Sequence, residues 1–241
     1  MRPIYFLLFT MCLCASTITN AQSVYSVTKV DKQPVIDGNW NKLPWKNIQP
    51  VKIENRMGDE PRFKPVTEAK ACYDSASIYV IFRVQDKFVK STVTEYNGNV
   101  SGDSCVEFFF SPDTNHPDHY FNLEINAGGT PLIFFITKPW TDVLRLPEDA
   151  ISQIEIAHSL PKKVDPEIAD AVIWTIEYRI PLRMLRRFAN VTLPEKGVVW
   201  PANFYKTGSK TSNPHYYTWS PVSNPVPNFH LPQYFGRIAF K

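Results

Sequence analysis

Asp103-Ser104-Cys105-Val106-Glu107-Phe108-Phe109-Phe110 and, beyond a polar loop over 111–119, Tyr120-Phe121-Asn122-Leu123-Glu124-Ile125-Asn126 are two stretches that decide the fold. Successive side chains of a strand point to opposite faces. Val106, Phe108 and Phe110 then share one apolar face and Glu107 points away from it. Phe121, Leu123 and Ile125 share a second apolar face, with Asn122, Glu124 and Asn126 on its reverse. If both strands lie in one sheet, carboxylates and amides gather on its polar side. Such a patch suits a hydroxyl-rich neutral ligand or a cation, and it equally suits a solvated outer face.

The same period of two recurs outward along the chain. Thr67–Tyr73 reads as a strand, followed by a turn at Asp74-Ser75-Ala76-Ser77. Ile78–Gln85 sets Ile78, Val80, Phe82 and Val84 against Tyr79, Ile81, Arg83 and Gln85. Leu132–Thr137, Gln153–Ser159, Val172–Ile180, Val198–Lys206 and Gly236–Phe240 complete the series. Leu182–Phe188, after Pro181, is the one short helix expected. Many short strands bounded by Pro, Asn, Asp and Gly predict an all-β, antiparallel β-sandwich of the immunoglobulin or jelly-roll kind. Residues 44–65 and 207–234 lack a clear pattern, and long irregular loops in a compact domain are often functional.

Met1–Ala21 carries one early charge, Arg2, and then an apolar run over 4–15. It reads as a signal peptide cleaved after Ala21. The run is too short for a membrane span. Cys12 and Cys14 raise a lipoprotein anchor, which Met11 and Leu13 before them disfavour. Residues 22–241 are then one β domain, secreted or periplasmic. The net charge of +3, less Arg2, gives +2, and no basic cluster with stacking aromatics is present, which argues against nucleic acid. Cys72 and Cys105 lie in strand-like segments, where free buried thiols are slightly favoured over a disulfide.

Alternation puts Arg83, Glu107, Asn122, Glu124, Glu177 and Arg179 on the non-core sides of their strands. Amides, carboxylates and guanidinium groups match vicinal hydroxyls, which both donate and accept; mutual salt bridging is the competing reading. Trp174 falls on a core face. Trp40 and Trp45 are expected to plug one end of the sandwich. Trp140, in Lys138-Pro139-Trp140-Thr141, is the best stacking platform, with Trp219 and Tyr216-Tyr217 next. His116 and His119, beside Asp113 and Asp118, read as a polar loop before they read as a metal site. Calcium is the cation that the Asp, Glu and Asn content would favour. No nucleophile elbow, zinc-protease or phosphate-loop motif occurs.

The order of these segments resembles the family 9 carbohydrate-binding module and its DOMON-like relatives. The likeness runs through Val35-Ile36-Asp37-Gly38 with Trp40 and Trp45, Ala71-Cys72-Tyr73-Asp74, Ile78-Tyr79-Val80 and Val84-Gln85-Asp86. It continues through Asp103–Phe109, Leu123-Glu124-Ile125-Asn126 and Trp174–Leu182. Gly197, Trp200, Asn203, Phe204 and Pro232–Gly236 close it. The resemblance implies a β-sandwich that clamps a sugar between two tryptophans, with bound calcium known in the family and a glycoside hydrolase as the usual companion. Here that hydrolase would be a separate chain. The clamp positions depart from the pattern. The first falls in 97–101, with Tyr96 the nearest aromatic, and the second at Phe229 and His230. Glu107 keeps the family's carboxylate, whereas Glu124 stands where the sugar-binding type has an arginine. The expected ligand-binding set is therefore Arg83, Tyr96, Glu107, Asn122, Glu124, Trp140, Phe229 and His230, with no catalytic residue. Two alternatives follow. One is a haem-binding DOMON-like redox module using Met57 and His230. The other is a glycosidase using Glu107 and Glu124.

Overall fold

The computed structural model describes residues 22–241. The expected signal segment, 1–21, lies outside the described residues. The strands are β1 (Val24–Lys29), β2 (Val51–Lys52), β3 (Asn55–Met57), β4 (Val66–Tyr73), β5 (Ser77–Asp86), β6 (Val89–Ser91), β7 (Cys105–Phe110) and β8 (Tyr120–Asn126). They continue with β9 (Pro131–Lys138), β10 (Asp142–Arg145), β11 (Glu155–His158), β12 (Val164–Ile168), β13 (Val172–Pro181), β14 (Val199–Thr207), β15 (Tyr216–Thr218) and β16 (Gly236–Phe240). Two one-turn helices, α1 (Glu148–Ile151) and α2 (Leu182–Leu185), are the only α-helices among the described residues. The second is the expected one, shortened, and the first was not foreseen.

Two layers make the sandwich. The first runs β10-β9-β8-β7-β14-β16-β1, with β15 and β3 added beside β14. The second runs β1-β4-β5-β13-β11, with β2 beside β4. Strand β1 belongs to both. Val24–Val27 pair with β16, and Thr28 and Lys29 pair with β4, both in parallel register. The fold is thus antiparallel except at this seam, which removes an open edge from each sheet.

Alternation builds the core between the layers. Phe108, Phe110 and Phe204 of the first sheet meet Phe82, Trp174 and Tyr178 of the second in one buried cluster. Phe204 stacks on Phe108 at 4.7 Å and meets Phe82 edge-on at 5.9 Å. Burying one such ring contributes on the order of 2 kcal/mol. Cys72 and Cys105 are both free and buried, on different sheets.

Trp40 and Trp45 do not plug an end. The segment over 37–48 folds across the outer face of the second sheet, where Trp45 Nε1 donates to Glu177 Oε1 at 2.7 Å. Trp40 lies under Lys70 and Arg83, at 4.0 and 4.9 Å from its ring. Indole N–H groups and π faces find their best partners over that polar face, not at an apolar end.

Candidate functional site

The register of the first sheet arranges its outer side chains in rows. Glu124 of β8 stands opposite Glu107 of β7, which stands opposite Tyr205 of β14. One row away, Asn122 faces Phe109; on the other side, Asn126 faces Cys105 and Cys105 faces Thr207. A second apolar cluster, including Phe109, Tyr120, Tyr205 and Phe229, covers part of this outer face. The chain after β15 brings the cover. Phe229 stacks on Tyr205 at 4.2 Å, and Tyr205 Oη donates to the Phe229 carbonyl at 3.2 Å. His230 lies 5.1 Å from the Phe109 ring, and its Nδ1 bonds the Tyr120 hydroxyl at 2.9 Å.

The cover stops short of the two carboxylates. A cavity of about 400 Å³ remains, floored by Glu107, Glu124 and Phe109 and walled by Trp140, Tyr216, Phe229 and His230. Ser101, Thr207, Ser209 and Asn228 add polar groups around it. Trp140 is 73 % exposed, sits at the turn between β9 and β10, and has φ of 67°. A bulky residue in the left-handed region is uncommon and marks a conformation held by its surroundings. Its ring meets His230 edge-on at 4.7 Å.

Glu107 and Glu124 are 2 % and 7 % exposed. One carboxyl oxygen of each and the Cys105 sulfur all lie within 4.8 Å of one another. Burial, then the charge of Glu124, pushes the Glu107 carboxyl well above the usual carboxylate range, partly offset by Lys206. Burial pushes Glu124 up to about 7, against hydrogen bonds from Asn122 and Ser101. Burial lowers His230 to about 4, so its ring is neutral near pH 7.

The expected site residues divide. Glu107, Glu124, Trp140, Phe229 and His230 converge on the cavity. Asn122 is buried beneath it and acts through Glu124: its Nδ2 donates to Glu124 Oε1 at 3.0 Å and its Oδ1 accepts from the Phe134 amide at 3.1 Å. Tyr96 is 44 % exposed on the loop between β6 and β7 and does not line the cavity. Asp103 ties that loop down by accepting from Thr92, Val93 and Asn126. Arg83 lies on the outer face of the opposite sheet, paired with Glu68, so it is no part of this site. The sequence reading missed Ser101, Phe109, Thr207, Ser209 and Asn228. Of these, Phe109 could have been found, because alternation already places it beside Glu107.

The alternative cofactor sets fit poorly. Met57 packs into the second apolar cluster and does not line the cavity that His230 walls. Among the described residues, the one convergent group of three metal-ligating side chains is Cys105, Glu107 and Glu124. Burial, reinforced by the two carboxylates, raises the Cys105 thiol and keeps it protonated. Two carboxyls and a thiol fall short of the six to eight oxygens that calcium takes. His116 pairs with Asp113 at 2.9 Å, as a polar loop would.

A sandwich with an aromatic-walled, carboxylate-floored cavity on one outer face defines the class, and sequence comparison gives the family. The profile of carbohydrate-binding family 9 matches residues 31–240. The chain belongs to that family. No curated protein matches the sequence. The chain is similar to a crystal structure of a proposed carbohydrate-binding protein from Bacteroides uniformis, with 25 % identity, a TM-score of 0.81, and coverage of 92 % of this chain and 100 % of that one. It is also similar to a family 9 module from Caldicellulosiruptor kristjanssonii in complex with cellotriose, at 17 % identity and a TM-score of 0.62, covering 91 % of this chain and 94 % of that one. The glucose complex of a family 9 module from the same organism gives 17 % identity and a TM-score of 0.60, with 91 % and 96 % covered.

Proposed function

We infer that this chain binds carbohydrate in the cavity on the outer face of the first sheet. The observation that carries the reading is the convergence of Glu107, Glu124 and the exposed Trp140 on one open cavity, in a chain of family 9. The carboxyls accept from hydroxyls, and Trp140 and Phe229 offer π faces to the apolar side of a sugar ring. A partly open site of this kind supports affinities of about micromolar to millimolar. Calorimetric titration with oligosaccharides tests it. Trp140→Ala removes an exposed ring, so stability should hold within about 0.5 kcal/mol, while affinity should fall on the order of tenfold. Saturable heat unchanged by that substitution would place sugar binding elsewhere, and no heat with any glycan would refute the reading.

Hydrolysis is a weaker reading of the same pair. The carboxyl separation suits a retaining glycosidase. Side by side on one sheet face, however, the two groups approach a ligand from one side and do not flank a bond. Release of reducing sugar, lost in Glu107→Gln, would reverse this preference. As part of the same proposal, the protein is exported by its first 21 residues and serves polysaccharide breakdown beside a separate glycoside hydrolase. N-terminal sequencing of the mature protein tests the export: a start at Gln22 is expected, and a retained Met1 would overturn it.

A further inference from the structure

Two carboxyls directly opposed across an antiparallel ladder repel one another, and burial sharpens the repulsion. A fold that keeps such a pair for structure places a cation or several donors against it. Among the described residues no lysine or arginine lines the cavity in front of the pair, and the donors, Asn122 and Ser101, reach only Glu124. Lys206, on the neighbouring strand, is committed elsewhere: its Nζ lies 3.0 Å from Asp86, 2.9 Å from the Thr207 carbonyl and 2.6 Å from His215 Nε2. Arg145 is two strands away and rests over the Phe134 ring at 5.3 Å. Lys210 is exposed and packs near Gly102. Asn122 donates to Glu124, but no hydrogen bond reaches the carboxyl of Glu107, although it is 2 % exposed. Phe109, Trp140, Tyr216 and Phe229 surround the space in front of the pair.

We propose that the cavity selects carbohydrate bearing a free ammonium group, an amino sugar, whose N–H groups bridge Glu107 and Glu124. This rests on the carbohydrate reading above and names the class within it. An ammonium group has three donors and no acceptor, so its arrival favours the ionised, acceptor-only form of both carboxyls, whereas a neutral hydroxyl brings no charge to offset their repulsion. Aromatic faces attract the same cation. A bare metal ion fits less well, because the cavity is of ligand size and the three convergent groups are too few.

The test is a calorimetric comparison on the full protein of a β-1,4-linked glucosamine oligomer, its N-acetylated form, cellotriose and calcium alone. The glucosamine oligomer should bind at least about tenfold more tightly than cellotriose, the scale of one charge-assisted hydrogen bond. Acetylation, which removes the charge and keeps the ring, should abolish the advantage without any change to the protein. In Glu124→Gln the ratio of the two affinities should fall toward one. Equal or tighter binding of cellotriose by the unaltered protein would overturn this inference and leave carbohydrate binding standing. So would calcium binding at the pair that the glucosamine oligomer cannot displace. No saturable binding of any oligosaccharide would overturn both.

Discussion

Glu177 on the second sheet and Glu107 on the first begin from the same sequence logic. Each is the polar member of an alternating strand, and each is buried. Glu177 accepts from the Asp37 and Gly38 amides at 3.0 and 2.7 Å, from Lys42 Nζ at 2.7 Å and from Trp45 Nε1 at 2.7 Å. Glu107 accepts nothing among the described residues and faces a cavity. The segment that crosses the second sheet closes over its carboxylate and supplies every donor. The segment that crosses the first sheet stops at Phe229 and His230 and leaves the carboxylates open. Burial alone therefore does not separate a structural carboxylate from a ligand-facing one; the count of donors does.

Removing Glu177 should have the largest effect. Glu177→Ala strands the Trp45 N–H, two backbone amides and the Lys42 ammonium, and should cost about 3 kcal/mol in denaturant unfolding. Glu107→Ala, measured the same way, should cost far less, since it deprives no donor and relieves a repulsion. Equal losses at the two positions would break the contrast between the faces.

A smaller effect separates the faces by pH. Burial holds Glu124 near 7 and Glu107 well above its ordinary range, so both carboxyls bind protons more tightly folded than unfolded. Stability from such groups is fully present below the unfolded value, about 4.3, and is lost as pH rises through the folded value. His215 and His230, lowered to about 2 and 4 by burial, act in the opposite sense as pH falls below about 6.5. Between about pH 7 and 8 the charge changes of His215 and His230 are largely complete, and the Cys72 and Cys105 thiols, raised by burial, have not yet begun to matter through their unfolded ionisation at about 8.5, so the carboxyl effect dominates. The melting temperature should decline across that window, and Glu124→Gln should flatten the decline. A slope of unchanged size in Glu124→Gln would mean that the pair is not what titrates.

Alternation made much of this legible. It sorted Phe108 and Phe110 from Glu107, and Leu123 and Ile125 from Glu124, because a half-buried strand must show its period. It could not say which sheet a strand joins. Arg83 and Glu107 are both non-core residues, yet they emerge on opposite sides of the sandwich, a matter of strand order and not of local pattern. Strands β2, β3 and β15, two or three residues long, carry no readable period, so residues 44–65 and 207–234 looked structureless. The cavity wall at Phe229 depends on the chain returning across the first sheet, a long-range event with no local signature. The left-handed backbone of Trp140 was equally hidden, since nothing but its surroundings requires it.

The smallest effect tests that limit directly. Arg83 matched the sugar-binding pattern as well as any residue by type and by face. In the structure it pairs with Glu68 on the far side of the sandwich, partly exposed, with its guanidinium over Trp40. An exposed ion pair of this kind contributes about 0–1 kcal/mol, with a similar increment from the π contact. Arg83→Ala should therefore lower stability by about 1 kcal/mol or less and leave oligosaccharide affinity where it was. Trp140→Ala should do the reverse, sparing stability and weakening affinity. If Arg83→Ala instead weakens binding by as much as Trp140→Ala does, the ligand lies on the outer face of the second sheet. The open cavity above Glu107 would then have another use.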